Sequence, residues 1–209
     1  MYIRTATEVG GDYYDFSVAS DGALDVALGD ATGHGMQAGT VVTLMKGLFA
    51  LDAPRADIRS FFNHCSRAIK QIRRGRMLMG FLLVRLKDSS ISLANAGMPP
   101  VFLYKKKTGS VEEIQLKGMP LGAMKDFVYS VHETRFEVGD TLLLLTDGLP
   151  EQKNSRGEMF DYGKVEEMLA ETAAESSGEI INRLVAACES WMTGVAQADD
   201  ITFVVIQKK

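Results

Sequence analysis

Apolar residues in the first third of the chain follow two different periods. Three short runs over 2–8, 13–18 and 23–28 have the alternation and the β-branched and aromatic content of strands, and turn residues at 10–12 and 20–22 separate them. The pair Asp21-Gly22 between two such runs predicts a β-hairpin. From residue 41 apolar side chains recur at helical spacing, and beyond Pro54 the same spacing continues over 58–72. We therefore predict three strands followed by two amphipathic helices.

Strand patterns return in the second half, each bounded by Gly, Pro, Asp or Ser, and they predict an antiparallel meander over 80–86, 91–95, 101–104, 111–116, 128–136 and 141–146. Helical patterns follow over 165–172 and 181–191, the second after a capping-box spacing of Ser176 to Glu179. The run 201–206 predicts a buried final strand. Because strands and helix pairs come in blocks, the pattern favours an α+β fold with two antiparallel sheets carrying helix pairs, in one domain over 1–209.

Composition limits the classes of function. The 209 residues are 46% hydrophobic and 24% charged, as in a globular domain, and the net charge of −4 offers no long-range attraction to nucleic acid. We find no secretory signal and no run of about 20 apolar residues, so we expect a cytoplasmic protein without a membrane segment. Three scattered His and two Cys cannot form a Cys- or His-rich zinc site, so any metal is expected on carboxylates.

Aspartates at the ends of predicted strands are the candidate chemistry. Asp12, Asp30, Asp147 and the doublet Asp199-Asp200 each stand beside a tight turn or at the start of a strand. For any one of them alone, a turn or helix-cap role is the favoured interpretation. Several carboxylates that converge from distant parts of the chain need cations to neutralise them, so together they predict a hard-metal site of two or more ions.

Seven motifs then occur in a fixed order: EVGGDYYDF (8–16), GDATGHG (29–35), NAGMPP (95–100), PLG (120–122), GDTLLLLTDG (139–148), GEMF (157–160) and ADDIT (198–202). In this order they resemble the stage II sporulation protein E-like branch of the metal-dependent (PPM, or 2C-type) serine/threonine protein phosphatases. The resemblance implies a four-layer α-β-β-α sandwich of two antiparallel sheets flanked by helix pairs. It also implies hydrolysis of phosphoserine or phosphothreonine by direct attack of a water that bridges two Mg²⁺ or Mn²⁺ ions.

The resemblance also assigns the ligands residue by residue. Asp30 is expected to bridge the two ions, and Asp12 to bind partly through water. The backbone carbonyl of Ala31 is expected to bind as well, with Asp147 and one member of the doublet on the second ion. The alignment favours Asp199 over Asp200, and both stay candidates.

Two positions depart from the pattern of eukaryotic relatives. Thr7 stands where those relatives carry an arginine that holds the substrate phosphate. The metals or another group such as Arg4 must therefore bind the phosphate here. Thr32 stands where they carry a proton-donating histidine, and His34 follows two residues later. His34 is either a general acid or only a polar residue in the turn that opens a helix.

Three functions are compatible with the sequence. The first is a protein phosphatase whose substrate is a phosphorylated regulatory protein, which the resemblance implies to be an anti-sigma-factor antagonist, under control of an upstream sensor or receiver domain. The second is a catalytically silent metal-binding module that binds a phosphorylated partner. The third is a metal-dependent nucleotide phosphodiesterase. A homodimer is also left open.

Lys105, Lys106 and Lys107 form a short basic run before Thr108-Gly109. Two interpretations exist, a solvated hairpin tip and a phosphate-binding patch, and the position between two predicted strands favours the hairpin tip.

Overall fold

The computed structural model describes residues 1–53, 57–72 and 77–209, so the predicted helix break at Pro54 lies outside the described residues. The elements, in chain order, are β1 Tyr2–Arg4, β2 Asp12–Val18, β3 Leu24–Ala31, α1 Met36–Asp52, α2 Ile58–Gln71, β4 Met79–Lys87, β5 Ser90–Ala96, β6 Val101–Lys105, β7 Ser110–Ile114, β8 His132–Arg135, β9 Thr141–Leu145, α3 Tyr162–Thr172, α4 Ser177–Trp191 and β10 Ile201–Gln207. These elements form two compact units. The first unit comprises Thr7–Met98 and Leu116–Phe136, and the second comprises Met1–Ala6, Pro99–Gln115 and Glu137–Lys209.

The first unit is an antiparallel sheet in the order β2-β3-β4-β5-β8 with the helix pair α1 and α2. Neighbouring strands from β2 to β5 are also neighbours in sequence, as in a meander. Aromatic rings from α1, α2 and β4 fill the core, where the rings of Phe62 and Phe81 lie 5.5 Å apart. The hairpin predicted at Asp21-Gly22 is confirmed, and Gly22 supplies the left-handed conformation of that turn at a φ of 81°.

The second unit is an antiparallel sheet in the order β1-β10-β9-β6-β7 with the helix pair α3 and α4. The predicted capping box is confirmed: the Ser176 hydroxyl accepts from the Glu179 N–H, and the Glu179 carboxylate accepts from the Ser176 N–H. The buried final strand is also confirmed, because residues 201–205 of β10 are all buried. The α+β class, with two antiparallel sheets and two helix pairs, is thus the one predicted.

The continuous meander predicted for the second half is wrong. β8 pairs with β5 of the first unit, whereas β9 pairs with β10 and β6 of the second. All five residues of β9 are buried, so this strand needs hydrogen-bonded neighbours on both sides, and a strand from the far end of the chain supplies one of them.

Two predicted strands are shorter in the structure. The run 128–136 forms a strand only at its end, because the Tyr129 ring packs 5.0 Å from Phe62 and its hydroxyl donates to the Met119 carbonyl. The run 2–8 ends as a strand at Arg4: Tyr2 stacks on Phe203 at 5.5 Å, whereas the Ala6 N–H donates to the Asp200 side chain and no longer to a strand partner. Within the described residues, no helix combines the length and the apolar character that crossing a bilayer requires.

Candidate functional site

Two of the predicted carboxylates lie opposite each other in the first unit. Asp12 opens β2, Asp30 is the last residue but one of β3, and the strand register makes them direct partners. Asp12 is only 9% exposed, and Asp30 is partly buried. Because like charges directly opposite each other on a sheet destabilise it, this pair favours a cation between or beside the two carboxylates.

Backbone from two motifs approaches this pair closely, and Gly11 makes the approach possible. A Cβ on Gly11 would overlap the Ala31 carbonyl oxygen and lie 3.2 Å from Oδ1 of Asp30. The Gly11 carbonyl also accepts a 3.0 Å hydrogen bond from the Ala31 N–H. The Ala31 carbonyl oxygen is therefore held beside the carboxylate of Asp30, as a ligand set of oxygens requires.

The turn after β3 leads directly into α1. Gly33 and Gly35 have φ angles of 85° and 75°, a region that suits glycine, and the Gly35 N–H donates to the Val9 carbonyl at 2.9 Å. His34 between them is exposed and makes no hydrogen bond with any residue in the described part of the chain. Its imidazole therefore has no hydrogen-bond partner there that would fix its tautomer.

The second unit holds the other two predicted positions. Asp147 follows β9 after Thr146, whose Oγ1 accepts a 3.0 Å hydrogen bond from the Thr202 N–H, so the end of β9 is fixed to β10. Burial raises the pKa of the Asp147 carboxyl, and the nearby charges of Glu151 and Asp199 raise it further. A carboxylate in this position is stabilised by a bound cation.

The two members of the aspartate doublet have different surroundings. Asp200 is 5% exposed, and its Oδ1 accepts a 2.7 Å hydrogen bond from the Ala6 N–H. Asp199 is exposed and lines a cavity of about 450 Å³ together with Asp147. Within the second unit the structure therefore brings Asp199 to Asp147 and ties Asp200 to the backbone.

Sequence reasoning missed two residues of this cavity, Glu151 and Gln152. Glu151 stands four residues after Asp147, and its N–H donates to the Asp147 carbonyl at 2.9 Å. Gln152 is 1% exposed, and its Oε1 accepts from the Ala198 N–H at 2.9 Å while its Nε2 donates to the Ala196 carbonyl at 3.3 Å. Gln152 thus holds the loop that carries Asp199. The sequence carries a signal for Glu151 alone, namely a second acidic residue four positions after Asp147.

The donors present in each unit fit hard divalent cations. The first unit offers two carboxylates and a backbone carbonyl, and the cavity of the second unit offers three carboxylates, Asp147, Glu151 and Asp199. All of these are oxygen ligands of the kind that Mg²⁺ and Mn²⁺ prefer. Within either unit, the described residues contain no group of three His, Cys, Asp or Glu side chains arranged for a metal ion.

A family model decides the membership of the chain. The model described as stage II sporulation protein E (SpoIIE) matches residues 20–209. The chain belongs to the SpoIIE family. The matched range includes Asp30, Asp147 and the doublet, whereas Asp12 precedes it.

Known proteins are similar to this SpoIIE-family chain over nearly its whole length. Phosphoserine phosphatase RsbU of Bacillus subtilis is 26% identical over 212 residues, which is 98% of this chain and 61% of that protein. The SiaA-PP2C domain of Pseudomonas aeruginosa has a TM-score of 0.87 at 22% identity and covers 100% of this chain and 85% of that one. RsbX in complex with magnesium has a TM-score of 0.72 at 19% identity and covers 100% of this chain and 93% of that one. The solved structures show that the fold is of the PP2C type, and the chain spans less than two thirds of RsbU.

Proposed function

We propose that this chain is a metal-dependent protein phosphatase that hydrolyses phosphoserine or phosphothreonine. The observation that carries the proposal is that each unit of this SpoIIE-family fold has a pair of acidic side chains at or next to the ends of its strands. Asp12 and Asp30 are partners in the first unit, and Asp147 and Asp199 share a cavity in the second. The name of the Bacillus subtilis relative, a phosphoserine phosphatase, supports this activity.

Two Mg²⁺ or Mn²⁺ ions are the cofactors in this proposal. In the first unit Asp12, Asp30 and the Ala31 carbonyl would hold metal, and in the second unit Asp147 and Asp199 would do so. When bound, such ions would supply a water of lowered pKa as the nucleophile and would neutralise charge on the phosphoryl oxygens. Asp200, buried and bonded to the Ala6 N–H, positions Asp199, whose Oδ1 accepts a 2.8 Å hydrogen bond from the Asp200 N–H.

His34 is the group available to move a proton. It is exposed in the turn that directly follows β3, three residues after Ala31, so a bound substrate can reach it. We propose that it donates a proton to the leaving serine oxygen. A His34→Gln variant should then lose the alkaline limb of the pH profile with a phosphoserine substrate, whereas a polar turn residue would leave that profile unchanged.

The substrate in this proposal is a phosphorylated regulatory protein, an anti-sigma-factor antagonist. The SpoIIE-like resemblance supports this class. We further propose that 1–209 acts as one catalytic domain, in the cytoplasm, under an upstream sensor or receiver domain.

A catalytically silent module that binds a phosphorylated partner is the second candidate. Thr7 favours it, because its hydroxyl donates to the Val9 carbonyl at 3.1 Å and it supplies no positive charge for a substrate phosphate. Tight binding of a phosphorylated partner without turnover would select this candidate.

The test measures Mn²⁺-dependent phosphate release from phosphoserine proteins. Asp30→Asn should abolish release, and Asp21→Asn, at an exposed aspartate of the same unit paired with Lys87, should not change it. If the wild type releases no phosphate from any of several substrates, or if Asp30→Asn releases it as fast as the wild type, the proposed activity is wrong. AMP esters and cyclic nucleotides serve as further substrates that test for a phosphodiesterase.

A further inference from the structure

A second cavity, of about 360 Å³, lies at the opposite end of β9 from Asp147. Gly139 lines it just before β9 begins, whereas Asp147 follows the end of that strand. Both cavities belong to the second unit, and they share no lining residue. The proposed phosphatase chemistry makes no use of this second cavity.

A buried carboxylate fixes one wall of this cavity. Asp140 is 2% exposed, and its side chain accepts from the backbone N–H of Lys106 at 3.0 Å and of Glu137 at 2.9 Å. Lys105 Nζ lies 3.3 Å from the same carboxylate. The end of β6 is therefore locked onto the turn before β9, and this turn carries Gly139.

A side-chain amide fixes the opposite wall. Gln207 Nε2 donates to the Glu175 carbonyl at 2.7 Å, which holds the connection between α3 and α4 against the end of β10. The Gly139 N–H donates to the Lys208 carbonyl at 2.8 Å, so the same strand end is tied to the first wall. The cavity is thus built by side chains and backbone that are already hydrogen-bonded.

The lining is basic. Lys106, Lys208 and Lys209 line the cavity, and the Lys106 side chain lies along Gly139, where a Cβ would overlap its Cδ and lie 3.2 Å from its Nζ. Glu175 is the acidic member of the described lining, and its carboxylate already accepts from Arg183 Nε at 2.8 Å. The cavity therefore presents an excess of positive charge to a ligand.

The other lining side chains offer an apolar surface and little further hydrogen bonding. Tyr104, Ala173 and Ala174 contribute a ring and two methyl groups. Ser176 also lines the cavity, but its hydroxyl is engaged in the capping box of α4. A volume near the lower end of the roughly 300–1,000 Å³ of small-molecule pockets suits a compact ligand rather than a protein segment.

We propose that this cavity binds a small organic phosphate of about the size of a nucleoside monophosphate. The lysines hold the phosphate group, and the ring of the ligand lies against Tyr104. The proposal also revises the prediction for the lysine run: Lys107 is exposed beyond the end of β6, as a hairpin tip requires, while Lys106 belongs to a binding site.

Calorimetric titration of AMP into the metal-free protein, in EDTA and at low salt, tests the proposal. We expect saturable binding, weakened at least about tenfold by Lys106→Ala, because one hydrogen bond to a charged group is lost. Lys107→Ala, in the same run but outside the lining, is the matched control and should bind as the wild type. Asp147→Asn should also bind as the wild type, since its cavity lies at the other end of β9.

Two further ligands test the ring contact. Ribose 5-phosphate and inorganic phosphate should bind more weakly than AMP, and Tyr104→Leu should weaken AMP but not ribose 5-phosphate. Thermal melts verify that each variant is folded. The proposal is overturned if AMP shows no saturable binding at millimolar concentration, if Lys107→Ala weakens binding as much as Lys106→Ala, or if all three ligands bind equally.

Discussion

A single added methyl group at Gly148 should disrupt the second unit's half of the candidate site. An added Cβ there would overlap the carbonyl oxygen of Asp200 and lie 2.8 Å from its carbonyl carbon. It would also lie 3.1 Å from Cγ1 of Ile201. Because the first two atoms are backbone, no change of rotamer relieves the overlap, and β10 must move away from the residue that follows Asp147.

The structure sets the size of this effect. Overpacking of a filled interior costs about 1–3 kcal/mol. Moving β10 here also weakens the two hydrogen bonds between Thr146 and Thr202, each worth about 1 kcal/mol. We therefore expect Gly148→Ala to lower the free energy of unfolding by about 3 kcal/mol, or the melting temperature by about 6–12 °C for a chain of this length.

Gly163→Ala is the matched control, because Gly163 lies in α3 of the same unit and a Cβ there would meet nothing within 4 Å. Alanine is the better helix former, so this variant should be unchanged or more stable by up to about 1 kcal/mol. Urea unfolding followed by circular dichroism measures both variants, and calorimetric titration with Mn²⁺ measures the site. A Gly148→Ala protein within about 0.5 kcal/mol of the control, the usual spread of neutral substitutions, would refute the steric reasoning.

Three further predictions follow from named contacts. Asp25→Ala should lower the free energy of unfolding in urea by about 3–5 kcal/mol, because it breaks a buried ion pair. Two Arg85 nitrogens bind the fully buried Asp25 carboxylate at 2.7 and 2.8 Å. Gly11→Ala should weaken Mn²⁺ binding in calorimetry at least tenfold, because its methyl group would displace the oxygens beside Asp30. Asp147→Asn should raise the melting temperature of the EDTA-treated protein, since it removes a carboxylate whose ionisation burial opposes, and saturating Mn²⁺ should stabilise the wild type more than this variant.

Local patterns predicted most of the elements, because each has its own signal. Period-two and period-3.6 spacing identified the strands and helices, and the capping box of Ser176 and Glu179 predicted the start of α4 within one residue. The sheet order was not predictable in this way. β9 and β8 are separated by only a few residues, yet they belong to different sheets. All residues of β9 are buried, whereas β8 alternates between partly buried and exposed positions.

Local patterns likewise predicted only those residues of the candidate site whose signal does not depend on distant contacts. A carboxylate at a strand end beside glycine is a local signal, so Asp12, Asp30, Asp147 and the doublet could be identified from the sequence. Gln152 could not, because its role depends on two backbone groups of 196–198, more than 40 residues away.

The aspartate doublet shows why spacing alone left two candidates. Two adjacent acidic residues give identical local signals, whereas the structure separates them by a contact with the far end of the chain. The Ala6 N–H needs an acceptor, and the buried Asp200 carboxylate supplies it. If Asp200→Asn keeps that hydrogen bond through its side-chain oxygen, it should retain metal binding, whereas Asp199→Asn should lose it. The opposite order of the two affinities would make Asp200 the ligand and would contradict the role assigned to its contact with Ala6.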